Sequence, residues 1–292
     1  VWVNDAPSRV NHFFLDLTKP FRGSGCVTIH VHVLVPVDPL RRTGVVFREV
    51  TQNVVMDEAK WLLMLTARRL FSYTTAACLV LAILIQQVVS RGTLSEFDRS
   101  AREVAREINA PHDFFSVTVM FGLRGIILTI CLPILGWLSW KRRSWVPIAG
   151  FVIVLLFETG IAGALKISVG RIFPYQYENF WSRMMIGQDE MAFPSGHAAN
   201  CVALWGYVAW YFTYAGTRAR RTALQLVVIA SLIVGVSSWL IRTHWPTDLV
   251  AGFAVGAISL LAVIGLYTAL GLNPEATTQR SAEVRRETAD AQ

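Results

Sequence analysis

Short polar and apolar stretches alternate through the first 55 positions, and long apolar runs then take over. Six of these runs approach the roughly 20 residues a helix needs to cross a hydrocarbon core. They span residues 70–89, 114–140, 145–167, 198–214, 224–241 and 249–272. The second contains Arg124 and Pro133, which leaves its ends the least defined. A spanning segment must satisfy its own backbone, so each run is a helix or part of a closed barrel. None shows the period-two alternation of a barrel strand. The pattern therefore predicts an all-α bundle of six transmembrane helices. Residues 91–113, between the first two runs, carry Glu96, Asp98, Glu103 and Glu107 among arginines and predict a short amphipathic helix on the outer surface. A strand-like stretch at 27–37 falls in the N-terminal region.

Composition agrees with a membrane protein. The 292 residues are 53% hydrophobic and only 16% charged, against about a quarter charged in soluble domains. Disorder is excluded by the same balance. The four cysteines are widely separated, three of them within apolar runs, which excludes a disulfide scaffold. The net charge of +7 is spread between the runs instead of forming one basic face, so no nucleic-acid partner is expected. Arg68 and Arg69, then Lys141, Arg142 and Arg143, then Arg218, Arg220 and Arg221, flank alternate loops and share a side with Arg285 and Arg286 of the tail. By the positive-inside rule both termini are expected in the cytoplasm, and the membrane in a bacterium is the inner (plasma) membrane. Met56 heads a natural lead-in to the first run, so residues 1–55 read as an upstream extension, 56–272 as the membrane domain and 273–292 as a polar cytoplasmic tail.

Polar groups at membrane depth are costly and therefore informative. Three clusters fall at the same membrane face although they are distant in sequence: Lys166 to Pro174, Pro194 to His197, and Arg242 to Asp248. Ser195 is placed to cap the fourth helix, leaving the N–H groups of Gly196 and His197 at a positive helix end that suits a phosphate. Pro246 suits the first turn of the sixth helix. There Asp248, one turn after His244, can accept its ring N–H and leave the other nitrogen as a base or nucleophile. Lys166, Arg171 and Arg242 would surround a phosphoryl group with positive charge. This set needs no metal or organic cofactor.

The three clusters resemble the signature of the type 2 phosphatidic acid phosphatase (lipid phosphate phosphatase) superfamily: Lys-x6-Arg-Pro, Pro-Ser-Gly-His and Ser-Arg-x5-His-x3-Asp. Lys166 with Pro174, the run Pro194 to His197, Ser237, His244, Asp248 and Gly252 match it, so the resemblance covers 166–252. It implies His244 as the nucleophile that forms a phosphohistidine, Asp248 as its orienter and His197 as the acid for the leaving oxygen. It also implies phosphate binding by Lys166, Ser195 and Gly196. Two positions depart: Phe173 and Ser238 stand where the family has phosphate-binding arginines. Arg171 and Arg242 are the nearby substitutes, Arg242 on the expectation that it lies one helical turn beyond Ser238.

Other polar residues have plainer readings. Arg124 and Glu158 are expected to form an ion pair between the second and third spans. His30 and His32 lack further ligands for a metal site, and His12 and His112 read as surface residues. Trp181, Trp205, Trp210 and Trp245 suit interfacial belts or bundle packing, with Trp181 in the loop 175–193 a candidate lining for a lipid tail. The expected function is a membrane lipid phosphatase acting on a lipid phosphate or diphosphate in the bilayer. A lipid-to-lipid phosphotransferase and a catalytically silent lipid-phosphate-binding protein are the alternatives, and oligomeric state stays open.

Overall fold

The computed structural model describes residues 66–176, 191–213 and 216–274, together with the backbone of two short strands, β1 (Phe13–Phe14) and β2 (His32–Val33). The chain divides into two compact units, Val1–Met64 and Leu65–Gln292. In the first, β1 and β2 pair antiparallel, Phe13 opposite Val33. His12, His30, Trp181, and the tail with Arg285 and Arg286 lie outside the described residues, as does the side chain of His32.

The second unit is helical. Its elements are α1 (Thr66–Val89), α2 (Thr93–Ile108), α3 (His112–Val119), a 3-10 turn (Met120–Gly122), α4 (Arg124–Arg142) and α5 (Val146–Val169). After the loop come α6 (Gly196–Asn200), a π-turn (Cys201–Trp205), α7 (Gly206–Phe212), α8 (Arg218–Leu240) and α9 (Pro246–Ala269). Five helices are long and apolar enough to cross a membrane: α1, α4, α5, α8 and α9. The expected fourth crossing is the run from α6 to α7, whose segments have five, five and seven residues. It is shorter than its neighbours, and a π-turn of the kind often found at functional sites interrupts it.

The second expected span also differs. Residues 112–119 form a separate helix, and the crossing helix begins at Arg124, because Leu123 is extended (φ −73°, ψ 123°) after the 3-10 turn. Pro133 sits inside α4 on its exposed side, where it supplies no N–H to the helix. The fifth span extends back to Arg218, capped by the Thr217 hydroxyl, which accepts from Arg220 N.

α9 is the central helix. Its Gly252 and Gly256 face the α6 segment so closely that a Cβ on Gly252 would lie 2.4 Å from the Ser195 carbonyl oxygen, and one on Gly256 2.6 Å from that of Ala199. Small residues four apart let two backbones touch, which is how helices pack tightly without a hydrophobic driving force. One apolar core (Ile127, Leu135, Phe151, Leu204, Tyr207, Val263) fills the middle and arginine-rich end of the bundle. A second (Leu84, Val88, Ala162, Phe193, Ala199, Val255) underlies the end where α5 stops and α6 and α9 begin. Outward, Phe71, Leu79, Ile83, Leu156, Leu226, Val228 and Ile229 are exposed, the pattern of a lipid-facing surface.

Candidate active site

Helix ends assemble the site. α5 stops because Gly170 adopts φ +56°, the left-handed conformation that glycine reaches without strain, and its N–H closes on the Lys166 carbonyl. The chain leaves in a bridge between Arg171 and Met191, with Ala192 N donating to Arg171 O at 2.9 Å. The Lys166 ammonium donates to the Met191 carbonyl. Ser195 then caps α6, its hydroxyl accepting from Ala198 N at a long 3.5 Å, while its own N–H donates to Asp248 O at 2.9 Å. These backbone bonds stitch the three sequence clusters into one body. Gly122 completes the fit: a Cβ there would meet the His197 carbonyl oxygen at 2.7 Å.

His197 and His244 face each other, ring centroids 6.3 Å apart. His244 precedes α9 and is buried, with Nδ1 3.6 Å from Asp248 Oδ2. That separation exceeds a hydrogen bond, which ends near 3.2 Å, and Nδ1 has no hydrogen-bond partner among the described residues. The expected His244–Asp248 bond is thus an alignment in this state; such bonds are often long before substrate binds. Asp248 is fully engaged otherwise. Oδ2 accepts the N–H of Trp245 at 3.1 Å, capping α9, and Oδ1 accepts Arg171 Nη1 at 2.6 Å.

Arg171 differs most from expectation. Besides Asp248, its Nη1 reaches Thr247 Oγ1 (2.7 Å) and its Nη2 reaches Asp98 Oδ2 (2.6 Å), and its guanidinium lies 5.0 Å from the centre of the Trp245 ring. Both Nη atoms are committed to protein carboxylates, so Arg171 is a clamp between segments. Trp245 is buried, not at a lipid interface, and donates from Nε1 to Ile172 O. Asp98, fully buried on α2, also takes Thr247 N (3.1 Å) and Thr247 Oγ1 (2.5 Å). The amphipathic helix expected on the outer surface is therefore docked into the site. No sequence signal singled out Asp98 or Thr247 beyond an acid in a mixed-charge loop.

The two departures from the family signature have structural counterparts. Phe173 packs on Tyr175 (centroids 5.5 Å) and against the edge of His244 (5.6 Å), forming an aromatic wall where the resemblance places a guanidinium. Ser238 is buried, its hydroxyl donating back to Val234 O at 2.8 Å within α8. Arg242 is not one turn further along that helix. α8 ends at Leu240, and Arg242 takes φ +59° in the connecting turn, two residues before His244.

Deeper in the bundle, Arg124 Nη2 and Glu158 Oε2 pair at 2.7 Å between α4 and α5, as expected. Among the described residues no group of three His, Cys, Asp or Glu side chains is arranged to hold a metal ion.

The comparisons with known proteins point the same way. The PAP2 superfamily profile matches residues 147–271, the stretch that holds Lys166, His197, His244 and Asp248. Phosphatidylglycerophosphatase B of Bacillus subtilis (strain 168) is 20% identical over 200 residues, covering 66% of this chain and 94% of the relative. A solved structure of a transmembrane PAP2 type phosphatidylglycerolphosphate phosphatase from Bacillus subtilis superposes with a TM-score of 0.57 at 18% identity, covering 66% of this chain and 94% of that one. The fold is shared at low identity. Residues 147–271 of this multi-pass membrane chain are thus similar to the PAP2 superfamily, at low identity to the Bacillus subtilis relatives.

Proposed function

We propose that the protein is a membrane lipid phosphatase that hydrolyses a phosphorylated lipid through a phosphohistidine on His244. The single observation that carries this reading is the pairing of His197 and His244, from different helix starts, with Asp248 behind the second ring. With Nδ1 turned to Asp248, Nε2 of His244 is the nitrogen open to phosphorus. It attacks as the P–O bond to the lipid breaks, and His197 gives its proton to the departing lipid oxygen. Water then attacks the phosphohistidine, with His197 taking the proton, and inorganic phosphate leaves. Lys166 and the N–H groups at the start of α6, framed by Ser195 and Gly196, hold the phosphoryl oxygens. Arg242, in the turn beside His244, is the remaining cation proposed for substrate. Arg171 acts one step back, on Asp248.

The run from α6 to α7 is proposed as a further crossing, giving six in all. The arginine clusters at the start of α1, the end of α4 and the start of α8 lie at the end of the bundle opposite the site. By the positive-inside rule the site then faces away from the cytoplasm, at the depth where lipid head groups sit. Phosphatidylglycerophosphate, the substrate named for the Bacillus subtilis relative, is the first lipid to try, beside phosphatidate and an isoprenyl diphosphate. The test is phosphate release from this panel by wild type and His244→Ala in detergent micelles. Release that the substitution abolishes is expected; equal release by both proteins would overturn the reading.

A further inference from the structure

Asp98 has no part in the reaction above, yet among the described residues it is the most fully bonded carboxylate at this end of the bundle. It is completely buried on a helix that also buries the charged Arg102 but leaves Glu96, Arg99, Glu103, Arg106 and Glu107 exposed. One guanidinium, that of Arg171, lies between its carboxylate and that of Asp248, at 2.6 Å from each. The cluster of two carboxylates and one guanidinium is left with one net negative charge, and its open side faces Nδ1 of His244. Were Arg171 to face Asp248 alone, its positive charge would cancel the anion that an attacking imidazole needs behind it.

Resting on the reading of His244 and Asp248 as the catalytic pair, we infer that Asp98 is a positioning residue. It balances and anchors Arg171, so that Asp248 keeps both its orientation and its charge for His244. Thr247 shares the task, because its N–H and hydroxyl tie the first turn of α9 to the same carboxylate. Docking of α2 does not depend on Asp98 alone. Arg102 Nε donates to Pro174 O at 3.1 Å, and Trp239 Nε1 donates to Ala101 O at 3.0 Å. Around His244 the charged and titratable groups are Asp248 on α9, His197 on α6 and Arg242 in the preceding turn. Lys166 on α5 acts on both His197 and Asp248.

The test compares Asp98→Asn, Asp98→Glu and Arg102→Ala with wild type in the full chain, in nanodiscs. Steady-state kinetics and the pH titration of His244 by 15N-histidine NMR are read together, His244→Ala assigning the resonance. Asp98→Asn keeps the shape and the acceptor for Thr247 N but loses the charge. It is expected to lower kcat roughly ten- to a hundredfold, as outer partners of a working histidine do, with KM within about twofold. The His244 midpoint moves down, because the cluster behind the ring has lost its net negative charge. Asp98→Glu restores most of both. Arg102→Ala, which loosens α2 without touching the cluster, lowers thermal stability and leaves the His244 midpoint in place. An Asp98→Asn protein with the wild-type midpoint and kcat would overturn the inference, as would an equal shift in Arg102→Ala. If wild type and His244→Ala turn over alike, the catalytic reading falls, and the His244 midpoint in Asp98→Asn still decides the role of Asp98.

Discussion

Two imidazoles 6.3 Å apart can divide the labour of phosphoryl transfer only if they hold opposite protonation states. His244 must be neutral to attack, and His197 must carry a proton to give. One ring must be bare while the other is protonated, so kcat/KM against pH is expected to be bell-shaped; a profile rising or falling monotonically would assign the proton transfer to another group. Phe173 offers a second residue-scale test. It touches the His244 edge where a related signature carries arginine, so Phe173→Arg adds a donor beside the phosphate. A charge-assisted hydrogen bond contributes about 1.5–3 kcal/mol, so inhibition by inorganic phosphate should tighten about tenfold or more; unchanged inhibition would place residue 173 outside the phosphate's reach. At this scale the sequence disclosed the residues that begin or end helices, because caps and glycines announce themselves locally: Lys166, Ser195, His197, His244 and Asp248. It did not disclose Asp98, whose partners stand 73 and 149 positions away. Arg242 was misplaced because helical periodicity was carried past Leu240, where the chain turns left-handed.

Helix contacts decide how firmly those residues are held. The α9–α6 contact relies on glycines: a side chain at Gly252 would press the carbonyl of Ser195, a backbone atom that cannot swing aside. Gly252→Val should cost about 1–3 kcal/mol through overpacking and reduce turnover far more than Gly265→Val, since Gly265 has nothing within 4 Å of its Cβ position. Thermal melting and kcat on the pair would show it, and equal effects would refute a contact-specific role. The Arg124–Glu158 pair makes a different demand. Glu158 is fully buried with Oε1 unpartnered among the described residues, so removing its cation strands a charge, a loss of about 3–5 kcal/mol for buried pairs. Arg124→Met should thus be more destabilising than Arg124→Met with Glu158→Leu; the reverse order would mean that the pair contributes by attraction alone. This pair was foreseen because two intramembrane charges have few other outcomes. The break before α4 was not, because residues 112–123 are as apolar as a span, and only the extended Leu123 separates them.

For the molecule as a whole, the crossing helices bring the residues proposed for the chemistry to one end and the arginine clusters to the other. The alternation of apolar runs and arginines makes that polarity readable from sequence. The short helical run from α6 to α7 is harder to read, because an apolar stretch shows neither its π-turn nor the burial of Tyr207 and Trp210 within the core. The central claim is that phosphorus passes through the imidazole of His244. Its most direct measurement is rapid acid-free quenching of the full-length protein during turnover of 32P-labelled lipid phosphate, followed by peptide mapping. The account predicts label on the peptide holding His244, acid-labile, absent in His244→Ala and accumulated when His197 is replaced and the leaving lipid oxygen needs no proton. Steady turnover with label on another residue, or with none at any quench time, would contradict it.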